Sequence, residues 1–479
     1  MKTIVGNIPF LILCLYILAL FVISTYASRL ARGGTTSFLL AGRKLTTPLI
    51  AVNVAALAVG AASTVGVAES SFNTGLSAGW YNAAWAGGAM AMGLFGAAQY
   101  RRLNISSLPE LFDRAFGKSS RFISAIALLI VLMMITSLQY LAGGAILSVM
   151  LPDYFSFQSG MLVSAVVFIG IALIGGLWSS GLSNILSVFL IYFGLIISTI
   201  IATMRMGGLT ALESKLPAGT PWLSPLGTLP LGILLGWFVV MISQALSAQG
   251  TVQIACSAKD EKSARNGFIW GAILIFPIGF FCAVLGMVAR VQFPDALATQ
   301  ALPLIVLSLP AVVAGIVLSA LWAADVSTAC TILMGASTLF THDIFKRFIK
   351  PDSEERHLML VSRLSIVVIG LITLILAFQA SDIVKTMMIG LSLTTAFTLV
   401  FLMLIFKPQW CRKGSAFWTV LVGIIILAAW VKFPQISEWM KTNFPFFSHV
   451  IYLEWLFCTL TFFIVYFVDK RPIGSIKPE

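Results

Sequence analysis

The stretch PLIAVNVAALAVGAASTVGVAES, Pro48–Ser70, is long enough to cross a bilayer, yet it carries Asn53, Gly60, Ser63, Thr64 and Gly66. A hydrocarbon core needs roughly 20 apolar residues per helix. Unwound backbone within it is tolerated only where it faces protein or a water-filled cavity. A second stretch of this kind, 228–254, carries Gly232, Gly236, Ser243, Gln244, Ser247, Gln249 and Gly250. It lies five spans further on. Spans two to six and seven to eleven thus read as two halves of five helices. An odd repeat number gives the halves opposite topology, and paired broken helices mark a binding site near the midplane. Any one glycine reads as a packing device between helices. The pair reads as a transporter.

Composition agrees. Of 479 residues, 59% are hydrophobic and 10% charged, too few charges to cover a soluble surface of this size. The net charge of +12 does not point to nucleic acid, because the basic residues form short clusters between apolar runs, as in proteins oriented by the positive-inside rule. The sequence predicts an all-α polytopic membrane protein of about 13 transmembrane helices. They are expected at 7–27, 48–70, 77–99, 122–150, 161–177, 183–204, 228–254, 267–290, 304–340, 358–379, 383–406, 416–432 and 449–468, the inner end of 304–340 projecting beyond the bilayer. With the first loop (Arg29, Arg32, Arg43, Lys44) inside, alternation puts 23 of the 30 Lys and Arg on that side. The N-terminus is expected outside and the C-terminus in the cytoplasm, in a plasma (inner) membrane. The domain plan runs 1–47 for the first helix and a cytoplasmic linker, 48–205 and 228–406 for the two repeats, 206–227 for an extracellular loop, and 407–479 for two last helices and a tail.

The first apolar run, Ile8–Tyr26, has only Lys2 ahead of it and a poor cleavage site at Ala27-Ser28-Arg29, so a retained helix is expected. Cys14, Cys256, Cys282, Cys330, Cys411 and Cys458 show no CxxC spacing and read as small packing residues.

The ninth span reads Ala323-Ala324-Asp325-Val326-Ser327-Thr328-Ala329-Cys330-Thr331. Sodium prefers hard oxygen ligands, and adjacent hydroxyls supply two of them. Carbonyls freed by the break in span two supply the rest. Taken alone, Ser327 and Thr328 bonding back to their own helix is the plainer reading. Asp325, ionisable in mid-membrane, is a functional candidate by default, against a purely structural role.

Four motifs resemble the sodium:solute symporter family. They are Phe38-Leu39-Leu40-Ala41-Gly42-Arg43-Lys44-Leu45, Ser107-Leu108-Pro109-Glu110-Leu111-Phe112-Asp113-Arg114-Ala115-Phe116-Gly117, Gln253 through Ala258-Lys259-Asp260, and Ser327-Thr328. The resemblance covers residues 38 to about 410. It implies a LeuT-like core of ten helices in a 5+5 inverted repeat, with one helix before and two after. It also implies Na+ as coupling ion, with no organic cofactor, bound by the carbonyls of Ala51, Val54 and Ala324 and the hydroxyls of Ser327 and Thr328. There are two departures. Where the family has a Thr-Asp pair followed by Gln, this chain has Ser183-Asn184 and Ser187, so one sodium is expected, with Asn184 a possible ion-coupling residue. Asp325 is an added carboxylate beside the retained site.

Candidate substrate-lining residues are Asn53 and Ser63; Trp80, Tyr81, Asn82 and Trp85; Gln139 and Tyr140; Trp237 and Gln244; and Ser392, Thr394 and Thr395. No Lys or Arg lies mid-span in these helices, so a carboxylate would rest on half-helix N-termini and neutral donors. A small organic acid or amino acid fits better than a bulky sugar. The expected partners are thus a small solute, sodium and lipid. Alternatives are a sensor built on a symporter fold, a channel, or a proton-coupled carrier. An enzyme is the weakest reading, since His342, His357 and His449 sit near span ends with no metal spacing or nucleophile–base pair.

Overall fold

In the computed structural model, the described residues are 8–30, 40–227, 229–378 and 383–475. Phe38 and Leu39 of the first motif, and Arg32 and Lys477 of the basic loops, lie outside them, as does the side chain of Ser183. Among the described residues the chain is helical, with one isolated bridge, Leu45 to Ala258, in place of any strand. Seven helices are long and apolar enough to cross a membrane, and three bent pairs raise this to ten, against thirteen expected from the sequence.

Two of these helical runs double back. Along span nine (Ala311–Thr338), Ser164 meets Trp322 and Phe168 meets Cys330. Further along the same run, Asn184 meets Ser327, Gly194 packs on Val317 and Arg205 bonds Ser308. The order reverses, so the helical run Phe157–Met206 passes down span nine and back up. Its length requires this, since 50 helical residues rise about 75 Å, more than twice a hydrocarbon core. A similar ladder resolves Thr47–Leu103. Ile50 faces Gly267, Val54 faces Gly271 and Ala68 faces Gly286. After Gly75, whose φ of +78° no β-carbon tolerates easily, Asn82 faces Gly279 and Arg102 pairs with Glu261.

The three bent helices are Thr47–Ala58 with Ala62–Leu103 (59°), Leu231–Ser247 with Gln249–Cys256 (47°), and Ile383–Ser392 with Thr394–Phe406 (40°). These breaks fall in spans two, seven and eleven. Spans two and seven run in opposite directions, because Leu45 before the first pairs with Ser257 and Lys259 after the second.

The basic loops gather at one end. Arg101 donates to the Ala258 carbonyl (2.6 Å), Gly474 N–H to Ala115 O, and Lys413 N–H to Arg471 O. Asp113 pairs with Arg121 (3.1 Å) and Arg347 (2.9 Å), and Arg121 also pairs with Asp343 (2.7 Å). The Leu339–Ile349 extension of span nine is thereby clamped to the loop ahead of span four. Apolar side chains such as Leu18, Phe189, Leu364 and Phe467 point outward, which suits a lipid solvent.

Gly267 and Gly271, one turn apart on span eight (Glu261–Gln292), let span two pack against it at Ile50 and Val54. A β-carbon on Gly271 would lie 2.8 Å from the Val54 side chain and 3.3 Å from the Ala51 carbonyl. Gly271→Ala is expected to destabilise the fold by about 1–3 kcal/mol, read as a lower melting temperature in detergent. An unchanged melting temperature would show that the two helices are not held this closely.

Candidate transport site

The site is built where span two loses its helix. Val59 leaves helical geometry (φ −91°, ψ 63°), and the chain resumes as a wide turn over Ala62–Gly66. Gly60 lies between. A β-carbon there would sit 2.8 Å from both the Gln139 Oε1 and the Thr328 Oγ1, so spans two, four and nine meet at a point with no room for a side chain.

An interrupted helix leaves carbonyls at its end and N–H groups at the next start without partners. In this protein side chains supply them. The Thr328 hydroxyl donates to the Ala56 carbonyl (3.0 Å), and the Gln139 Oε1 accepts from the Ala61 N–H (3.0 Å). Thr64 donates to Gly60 O (3.0 Å) and Ser63 to Ala58 O. Gln139 and Ser63, expected to line the substrate path, therefore also hold the broken backbone.

A buried polar chain lies behind the break. The Ser327 hydroxyl donates to Asn184 Oδ1, and Asn184 Nδ2 donates to Asn53 Oδ1 (2.9 Å). Asn53 in turn donates to Leu49 O (2.7 Å). This joins span nine, the Asn184–Met206 segment and the first half of span two. Ser327 and Thr328 are thus brought against span two at Asn53–Ala56. Ala51 and Val54 sit within the turns before the break, on the side facing Gly271, and Ala324 one turn before Thr328. The carbonyl that meets Thr328 is that of Ala56 rather than those of Ala51 or Val54.

Asp325 is completely buried on the same helix, and neither of its oxygens has a hydrogen bond among the described residues. Trp322, one turn before it, donates to Ser164 (3.2 Å).

A second face lies between spans three and seven. Tyr81 and Trp85 share one side of Trp80–Ala91, and Trp237 and Gln244 one side of Leu231–Ser247. Tyr81 meets Trp237 edge-on at 6.2 Å. The Tyr81 hydroxyl, the Trp85 N–H and the Gln244 Oε1 are buried without hydrogen bonds among the described residues. Buried polar groups are rarely left so. Beyond Gln244, the Thr394 carbonyl accepts from Ser247 (3.1 Å) and the Thr394 hydroxyl donates to Leu391 O (2.6 Å). That contact ties the break in span seven to the break in span eleven.

Other candidates are engaged elsewhere. Trp80 donates to Pro225 O (2.7 Å), Tyr140 to Gly370 O (3.4 Å) and Ser392 to Ile389 O (2.7 Å). With its amide turned so that the nitrogen faces Ser63 O and the oxygen faces Gly279 N, Asn82 bridges the two at 3.3 Å each. Two residues escaped the sequence reading. Glu69 accepts the Ile383 N–H (3.3 Å) at the start of span eleven, and Glu454 is buried in the last span. The available signal was a carboxylate inside an apolar run.

Comparison with known proteins fits this geometry. The sodium/glucose cotransporter of Vibrio parahaemolyticus is 24% identical, over 93% of this chain and 88% of its own length. The osmoregulated proline transporter of Bacillus subtilis is 24% identical, over 96% of this chain and 94% of its own. The solved structure of a Na+-coupled sialic acid symporter, substrate-bound and outward-open, matches with a TM-score of 0.77 at 19% identity, covering 98% of this chain and 99% of that one. This likeness shows the fold, an all-helical LeuT-like core. The profile of the sodium:solute symporter family matches residues 38–423, a stretch that holds all three broken helices, the polar chain at Asn184 and the Ser327–Thr328 pair, and the protein belongs to that family.

Proposed function

We propose that this protein is a sodium-coupled secondary active symporter that imports a small organic solute by alternating access across the plasma (inner) membrane. The observation that carries this reading is the convergence at Gly60, where a broken helix exposes backbone beside a hydroxyl pair on span nine. Sodium would exchange for the Thr328–Ala56 hydrogen bond and take oxygen from Ser327, Thr328 and Ala324, with the carbonyls of Ala51 and Val54 completing the shell. Asn184 has no charge to neutralise a second cation, which favours one sodium per cycle. The N-terminus lies outside and the C-terminus, with the basic end, in the cytoplasm.

An organic acid or amino acid is the favoured substrate class. The Tyr81 and Trp85 donors suit a carboxylate, and the Gln244 oxygen suits an ammonium or hydroxyl. Uptake by proteoliposomes from a mixed metabolite pool, with and without a sodium gradient, tests the proposal. Accumulation of one solute only under an inward gradient supports it. A gradient-independent, non-saturating flux supports a channel, and binding without flux a sensor.

Ser327→Ala combined with Thr328→Ala is expected to raise the sodium concentration for half-maximal uptake by at least about tenfold, or about 1.4 kcal/mol, with folding retained. Unchanged sodium dependence would remove the assignment. In the unaltered protein the sodium Hill coefficient should be near one, and a value close to two supported by reversal potentials would contradict the single-ion reading.

A proton on Asp325 and a sodium ion a turn away compete for the same local negative charge. Acidification should therefore weaken apparent sodium affinity, and Asp325→Asn should abolish that dependence while keeping shape. Superimposable pH profiles in the two proteins would leave Asp325 a structural residue and would weigh against proton coupling.

A further inference from the structure

Span thirteen (Val450–Val468) carries one carboxyl, Glu454, about one turn from its start. Its side chain is completely buried, and neither oxygen has a hydrogen bond among the described residues. Span twelve (Ser415–Lys432), span seven and both halves of span eleven pack against this helix. The group against the carboxyl is Ser392, the last residue before the bend in span eleven. The Ser392 hydroxyl proton is already committed to Ile389 O at 2.7 Å. With its proton on Ile389 O, Ser392 presents lone pairs toward Glu454.

Few ionisable groups face this carboxyl. Cys458, one turn along, interacts with it, but its thiol lies against Thr419 O at 3.6 Å. Span eleven has one cation, Lys385, at the far end of its first half, and span twelve one, Lys432, in its last turn. Thr394–Phe406 and Leu231–Ser247 contain none. An unpaired carboxylate without a donor is costly to bury. A carboxylic acid, by contrast, carries an O–H that the Ser392 oxygen can accept.

We propose that Glu454 is a proton-binding site, holding a proton against Ser392 in this conformation and releasing it when the two halves of span eleven change their angle. Release breaks the Glu454 O–H bond and leaves a carboxylate. The Ser392 hydroxyl can then turn from Ile389 O to donate to it, loosening the turn that leads into the bend. The proton has somewhere to go. A cavity of about 310 Å³ at the end remote from the basic loops is lined by Ser448, His449 and Val450 ahead of Glu454, and by Lys385, Met388 and Ile389 on span eleven. It reaches Val450 and Ile389, each about one turn along its own helix from Glu454 and Ser392. This site shares no residue with the proposed sodium shell.

The test is infrared difference spectroscopy on the full protein in lipid, without sodium or substrate, so that it does not depend on the transport reading. At neutral pH the unaltered protein should show a protonated-carboxyl C=O band that is missing from Glu454→Gln, whose amide keeps the shape and can also donate to Ser392. Ser392→Ala should shift the frequency of that band, because the acid loses its acceptor. Raising the pH should bleach the band and lower the melting temperature of the unaltered protein, and the Gln variant should lose at least half of that melting-temperature change. Identical spectra for the unaltered protein and Glu454→Gln at neutral pH would overturn the proposal. So would a band that neither bleaches at alkaline pH nor shifts in Ser392→Ala, since the group would then be inert packing.

Discussion

A backbone that abandons its helix inside a membrane must find partners for the groups it frees, and in this protein that requirement is met at Gly60. Lipid offers no hydrogen bonds, so each orphaned carbonyl or N–H there would be heavily penalised. Thr328 and Gln139 remove the penalty from two sides, one on span nine and one on span four. Glycine is required because both side chains come within van der Waals range of where a β-carbon would stand. The same contact creates the opportunity for function. A hydroxyl that donates to a carbonyl can be parted from it by a cation that both oxygens then share.

The distribution of charge follows from the same solvent. The basic loops gather with their partners at one end, where Arg121 and Arg347 share Asp113 and Arg121 also reaches Asp343. That network ties the extension of span nine to the loop before span four, so a movement of span nine must strain or break it. Within the described spans few carboxyls remain, and two of them, Glu69 and Glu454, lie on or against an element that bends. Asp325 is beside the hydroxyl pair, Glu69 holds the start of span eleven, and Glu454 lies against its bend. Span eleven is therefore contacted by a carboxyl at its start and another at its middle, while Ser247 ties it to the break in span seven. Of these contacts, the one made by Glu69 joins span two to span eleven.

Some of this was legible along the chain. Polar and glycine residues in Pro48–Ser70 and 228–254 marked the two broken helices, because lipid makes such residues conspicuous. The bend at Leu393 was not marked in this way, since Ser392, Thr394 and Thr395 look like ordinary helix hydroxyls bonding back to the preceding turn. Two of them do bond back. The expected boundary between spans five and six appears only as a reversal of contacts along span nine, the helix being continuous in sequence. Glu69 and Glu454 were visible as letters, but nothing near them in sequence says what they touch.

By itself the sequence determined the solvent, the helical class, the basic end and the hydroxyl pair. These are properties of single segments, set by how many apolar residues span a bilayer and by where lipid forbids charge. Only the tertiary structure decided the pairings: Gln139 with Ala61 across 78 residues, Ser327 with Asn184 across 143, and Thr328 with Ala56 across 272. The physical reason is that a buried polar group is indifferent to which partner satisfies it. Many hydroxyls and amides along this chain could have served Gly60, and the packing of spans two, four and nine against one another selected the two that do.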